Sequence, residues 1–201
     1  MTRPEVILAS GSSSRRAMLT AAGIAYRAIT PDVDEDDLRA RMPREMGTKA
    51  SAVAERLAEH KALAVSASHP GALVIGCDQV LVCDGKLFNK AVDEAAARGT
   101  LKALRGRTHE LISAAVIAKG DEFVWRCTDV ARLQMRAFSD DYLADYLRAE
   151  IPDILGSVGC YRIEGRGAQL FTRVEGDQFT IRGLPFIPLL AALREQGALP
   201  S

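Results

Sequence analysis

Apolar and polar positions along this chain alternate between a period near four and a period of two, and the switches mark its elements. A short apolar run, Val6-Ile7-Leu8, is followed by Ser10-Gly11-Ser12-Ser13-Ser14 and then by Ala17-Met18-Leu19 with Gly23 beyond. That order predicts a strand, a small-residue turn and a helix with a glycine stop. Residues 51–68 place Val53, Leu57, Leu63 and Val65 on or near one face and end before Pro70-Gly71, which predicts a long helix. Residues 73–82 predict an apolar strand broken only by Asp78-Gln79, and Asp84-Gly85 predicts a tight turn into Lys86-Leu87-Phe88. A helix is expected over 93–104 with a stop at Gly106, then two strands over 110–119 and 123–135 joined at Gly120-Asp121. Ser139 caps a predicted helix through Ala149. A glycine-rich stretch over 156–167, a strand over 169–174 and a closing helix over 185–196 complete the chain. Without repeats or low-complexity linkers, this alternation predicts an α/β fold with a mixed sheet.

Composition narrows the function classes. With 201 residues and 48% hydrophobic content the chain can bury a sizeable core in a single domain over 1–201. Lys+Arg and Asp+Glu both count 26, so there is no basic field for a nucleic-acid polymer and no polybasic membrane patch. No apolar run approaches the ~20 residues of a membrane helix, and the N-terminus lacks the pattern of a secretory signal. Cys77, Cys83, Cys127 and Cys160 are scattered without a C-x-x-C pair, which predicts free thiols in a reduced cytoplasm rather than a zinc site or disulfides. His60, His69 and His109 show no metal-ligand spacing and carry no assigned role.

Chemistry concentrates at a few points. The serine turn ahead of a helix start would converge backbone N–H groups, hydroxyls and the Arg15 and Arg16 guanidinium groups on one spot, as an anion site would. Cations oppose the dipole at a helix N-terminus, so a bound polyphosphate would give the pair a purpose; the other reading is a serine-capped helix with solvated arginines. Asp78 is a carboxylate inside an apolar strand, costly unless paired or bound to metal, and is therefore a functional candidate. The acidic run Asp32, Asp34, Glu35, Asp36 and Asp37 reads as solvated surface, although a hard divalent cation would also suit it. Lys61 and Lys90 could neutralise phosphate, but most helix and loop lysines are simply solvated. Glu164-Gly165-Arg166-Gly167 is not a dinucleotide fingerprint, and no P-loop or nucleophile elbow is present. Gly183-Leu184-Pro185 reads as a turn entering a helix.

Taken in order, these pieces resemble the Maf family of nucleoside triphosphate pyrophosphatases over nearly the whole chain. The resemblance rests on Leu8-Ala9-Ser10-x-Ser12 with Arg15-Arg16, Val33-Asp34-Glu35, Arg56-Leu57-Ala58-x-x-Lys61-Ala62 and Asp78-Gln79-Val80. It continues through Lys90, Gly106-x-x-His109, Glu164-Gly165-x-Gly167 and Gly183-Leu184-Pro185. It implies an elongated, two-lobed mixed sheet flanked by helices, similar to inosine-triphosphate pyrophosphatase, with a central cleft. It implies hydrolysis of a nucleoside triphosphate to monophosphate and pyrophosphate with a divalent cation (Mg, Mn or Co), and homodimers are common among similar proteins. Asp78 matches the family's catalytic position, Ser10, Arg15, Lys61 and Lys90 its phosphate contacts, and Glu35 with Asp78 its metal-associated positions. Gln79 and Glu164 match substrate-binding positions and, with the arginine pair, resemble the branch acting on 7-methyl-GTP rather than the one acting on dTTP and UTP. A nucleotide-binding regulator of cell division or septum formation is the alternative of a different class. The chain departs from the family pattern at Asn89-Lys90-Ala91, where Gly-Lys-Pro is usual, at Ser13-Ser14, where a proline is usual, and in a longer acidic loop before Gly159.

Overall fold

The computed structural model describes residues 3–42 and 50–200. In chain order the elements are β1 (Val6–Ala9), α1 (Ser13–Ala21), β2 (Arg27–Ile29), α2 (Glu35–Arg41), α3 (Ala50–Ser66), β3 (Leu73–Cys83) and β4 (Lys86–Phe88). They continue as α4 (Glu94–Leu104), β5 (Thr108–Lys119), β6 (Glu122–Met135), α5 (Asp140–Glu150), β7 (Phe171–Glu175), α6 (Gln178–Ile181) and α7 (Phe186–Glu195). The strands form one mixed sheet in the order β2-β1-β3-β5-β6-β7, with β4 beside β3. β1 runs parallel to β2 and β3, while β3, β5, β6 and β7 are successively antiparallel.

β3 organises the site. On one side it pairs with β5 along nearly its whole length. On the other side it pairs with β1 as far as Gly76 and with β4 only from Leu81 onward. Residues 77–80 therefore have a strand neighbour on one side alone, and the sheet opens where Asp78 and Gln79 stand.

The helices pack on this sheet in register with its period of two. On one face α3 lays Val53, Leu57, Ala58 and Ala62 against Val80, Ile112, Ala114 and Val116. On the other face two separate clusters form. Leu8, Leu19, Ile75, Ile117 and Leu189 bring together β1, α1 and α7 at one end. Leu81, Leu101, Leu133, Leu147 and Tyr161 bring together α4, α5 and the far half of the sheet at the other. These are the two expected lobes, meeting at the opening in β3.

Local chemistry places the element ends. Ser12, Asp93 and Ser139 each cap a helix by accepting a backbone N–H three residues on. Asp84 (φ 50°) and Gly85 (φ 73°) take the two left-handed positions of a hairpin turn. Gly76 has no room for a side chain: a Cβ there would collide with the Ala58 carbonyl and stand 2.7 Å from Ala62. α3 can thus lie directly on β3.

Three elements go beyond the sequence expectation. β2 has only three residues, two of them exposed, and offers no periodicity to read. α6 is a single turn closed by Asp177, which accepts from Phe179 and Thr180 N–H groups. The acidic run is not merely solvated surface. It opens α2, where carboxylates suit the helix dipole and Asp34 Oδ1 accepts the Asp37 N–H at 2.9 Å. The expected strand over 169–174 begins later, at Phe171, because Arg166–Leu170 is a 3-10 turn.

Candidate active site

The serine turn leaves β1 where β1 parts from β3. Ser10 Oγ accepts the Ser12 N–H at 3.2 Å and Arg15 Nη1 at 3.3 Å. Arg15, buried on the first turn of α1, also donates through Nη1 to the Cys77 carbonyl at 3.2 Å and through Nε to the Gly183 carbonyl at 2.7 Å. Its guanidinium thus satisfies a carbonyl that the opening in the sheet leaves without a strand partner. Gly183 has φ 98°, and a Cβ there would stand 3.3 Å from Arg15 Nε. The Gly183-Leu184-Pro185 turn is thereby more than a helix entry: its first residue anchors the arginine. Arg16 points away, exposed, and donates to the Gly11 carbonyl at 3.2 Å.

Opposite this turn, the close packing at Gly76 brings Lys61 of α3 beside Asp78 of β3. Lys61 Nζ lies 2.5 Å from Asp78 Oδ1 and 2.7 Å from Glu35 Oε1. The Lys61 and Asp78 side chains are 10% and 7% exposed, so this is an ion pair inside the protein wall. Asp78 Oδ2 is buried with no hydrogen-bond partner among the described residues. Glu35 Oε2 meets Arg39 Nη2 at 3.3 Å. Burial pushes the Glu35 carboxyl up, but the Lys61 ammonium, with Arg39 and Lys90, outweighs it and holds Glu35 below the ordinary carboxylate value. Lys90 follows β4 and completes the group. Burial, with Arg15 and Lys61 nearby, lowers its pKa, while Glu35 and Asp78 oppose that shift.

All eight residues singled out in the sequence line one cleft of about 1170 Å³. Six of them, Ser10, Arg15, Glu35, Lys61, Asp78 and Lys90, interact as one group through these bonds and charges. Gln79 has a different part. Its Nε2 donates to the Thr180 and Ile181 carbonyls at 3.0 and 3.1 Å and to Ser113 Oγ at 3.0 Å, so the amide nitrogen holds α6 in place. Glu164 stands apart from Asp78, exposed, with Oε1 3.6 Å from Arg182 Nε.

Arg182, Arg162, Asp153 and Arg39 also line the cleft and were not anticipated. Arg162 joins Glu150 and Asp153 at 3.0 Å each. A Cβ on Gly167 would collide with the Arg162 carbonyl, so the glycine-bearing loop is shaped around that residue. Two of these had a signal in the chain: Arg182 directly precedes Gly183, and Arg39 lies one helical turn beyond Glu35. Among the described residues no three His, Cys, Asp or Glu side chains converge on one point, and the two carboxylates gathered on Lys61 are Glu35 and Asp78. His109 is buried behind the cleft wall, sharing a 2.7 Å hydrogen bond with the Tyr161 hydroxyl. Burial lowers its pKa to about 4, which leaves it neutral at ordinary pH.

A cleft at the carboxyl end of a parallel strand is a common ligand-binding place in α/β proteins, and here cations surround a buried carboxylate in it. Within that class the family is specific: the model for Maf-like protein matches residues 5–196, and this chain belongs to that family. It is 48% identical to a nucleoside triphosphate pyrophosphatase of Granulibacter bethesdensis, over 97% of this chain and 98% of the relative. It is 49% identical to a nucleoside triphosphate pyrophosphatase of Paramagnetospirillum magneticum, over 96% and 99%. It is 47% identical to a 7-methyl-GTP pyrophosphatase of Mesorhizobium japonicum, over 97% and 98%. A solved HAM1 protein from Coxiella burnetii is 16% identical, with a TM-score of 0.41, over 67% of this chain and 74% of that one.

Proposed function

We propose that this protein hydrolyses nucleoside triphosphates to the monophosphate and pyrophosphate, with Asp78 as the base that orients and deprotonates the attacking water. The observation that carries this reading is the Glu35–Lys61–Asp78 contact in the open stretch of β3, facing Lys90 and the Arg15 turn. Breaking the α–β anhydride builds charge on the departing pyrophosphate. Lys61 and Lys90 are the cations that meet it, and the Arg15 guanidinium, fixed by three protein oxygens, supplies a preorganised positive field. Family membership and the names of the relatives support the same reaction.

The residues also fit a divalent cation. Asp78 offers a buried oxygen with no hydrogen-bond partner among the described residues, Glu35 stands on the other side of Lys61, and substrate phosphates complete such sites for Mg²⁺. When bound, the ion would neutralise phosphate charge and polarise the anhydride. A base poised between cations favours hydrolysis over a purely nucleotide-binding, regulatory role.

For the substrate we favour 7-methyl-GTP. Glu164 keeps an exposed carboxylate in the cleft, and a carboxylate can accept the N1–H and N2–H donors of guanine together. The positive charge added by N7 methylation favours it further. A panel of 7-methyl-GTP, GTP, dTTP and UTP assayed for pyrophosphate release tests this. Higher kcat/KM for 7-methyl-GTP, with the gap narrowed by Glu164→Gln, is the expected result. A preference for dTTP and UTP would return the chain to a pyrimidine substrate. The four cysteines are free, and no described helix is long and apolar enough to cross a membrane. We propose a reducing cytoplasm as the compartment, which unpaired cysteines suit, and a second copy of the chain as the partner.

A further inference from the structure

The Lys61 ammonium stands between the two carboxylates that would hold a divalent cation. It is 2.5 Å from Asp78 Oδ1 and 2.7 Å from Glu35 Oε1, so one positive charge already serves both acids. The side chain is nine-tenths buried and comes from α3, whose contact with β3 at Gly76 leaves no slack for the helix to draw back. Asp78, 7% exposed, would be costly to bury without a counter-ion, and Lys61 removes that cost in the free protein, while the more exposed Glu35 shares its charge between Lys61 and Arg39. The same ammonium would repel a doubly charged ion arriving at these oxygens. Lysine differs from arginine here: its charge is a compact head on a flexible stem, able to swing to a new anion without moving the helix. The anion on hand is the polyphosphate, because Lys90 and Arg15 face the same space.

We propose that Lys61 is an internal counter-ion that keeps a divalent cation off Asp78 and Glu35 until a triphosphate draws the ammonium away. Metal and triphosphate then enter together, and each strengthens the binding of the other. The free protein holds its carboxylates neutralised and binds metal alone only weakly. This rests on the reading of Asp78 and Glu35 as the metal-binding pair.

The test is Mn²⁺ binding to the full chain without nucleotide, followed by the electron paramagnetic resonance signal of free Mn²⁺ at pH 8. Lys61→Met removes the charge. Lys61→Gln also removes it but keeps a hydrogen-bond donor beside Asp78, should the methionine variant fold poorly. The proposal expects either variant to bind one Mn²⁺ at least ten-fold more tightly than the parent chain, and expects adding Asp78→Asn to abolish the gain. If parent and variants bind equally and Asp78→Asn abolishes binding in both, the pair is a metal site but Lys61 does not guard it, and the proposal falls. If Asp78→Asn changes nothing in either background, the metal reading itself falls, and the proposal with it.

Discussion

At the scale of single residues, the cleft is governed by where one carboxylate's two oxygens go. Asp78 Oδ1 is held by Lys61, while Oδ2 is buried and unpartnered among the described residues, so Oδ2 is the atom left for a water or a metal ion. Asp78→Asn nearly preserves the shape and removes the charge. It is expected to lower kcat about 10²–10⁴-fold, while the Kd for an α,β-methylene triphosphate changes only a few-fold. Steady-state assays beside an equilibrium titration measure both; near-normal turnover would remove Asp78 from the mechanism. Position alone could not separate Arg15 from Arg16. Adjacent helix residues point about 100° apart, and in the structure Arg15 turns inward to three oxygen acceptors while Arg16 stays exposed.

At the scale of elements, the decisive contact is α3 on β3. Lys61 could reach Asp78 only if the helix came close, and Gly76 is the residue that lets it. Gly76→Ala would drive a methyl group against the Ala58 carbonyl and Ala62. Such overpacking costs about 1–3 kcal/mol, and the upper end is expected because the obstacle is backbone. Urea unfolding should show that loss, and kcat should fall more than KM rises as Lys61 and Asp78 separate. A variant with normal stability would mean that α3 can shift freely. The sequence made both elements legible, since β3 is an apolar run and α3 carries its apolar residues on one face. It was silent on their distance, because a glycine in a strand does not announce what lies above it.

At the scale of the whole molecule, acid stability reports a group that the chemistry does not use. Burial lowers the His109 pKa from 6.5 to about 4. A histidine whose folded pKa lies below its unfolded one stabilises the fold above the unfolded value, and the stabilisation is lost as pH falls from 6.5 toward 4. The shift corresponds to about 3 kcal/mol, lost over that window. His109→Gln keeps a partner for the Tyr161 hydroxyl and removes the titration. Denaturation between pH 4 and 7 should show a shallower acid slope in the variant, whereas parallel slopes would mean that His109 charges without penalty in the folded state. The consequence reaches the cleft because Tyr161, bonded to His109, is part of its wall.

The linear chain by itself determined the α/β alternation, most element boundaries and the set of residues worth watching. Those follow from periodicity, caps and turns, which act over a few neighbouring positions. It also placed one carboxylate where a strand should be apolar, and that cost is visible without coordinates. Short elements escaped because β2 and α6 hold too few residues to show a period. Only the tertiary structure decided that the acidic run sends Glu35 to Lys61, that Gln79 turns its amide nitrogen to α6, and that Arg182 stands beside Glu164. Each of these joins residues 18 to 102 positions apart. Such contacts are set by how helices pack on a sheet that opens between β1 and β4, and no local pattern encodes that packing.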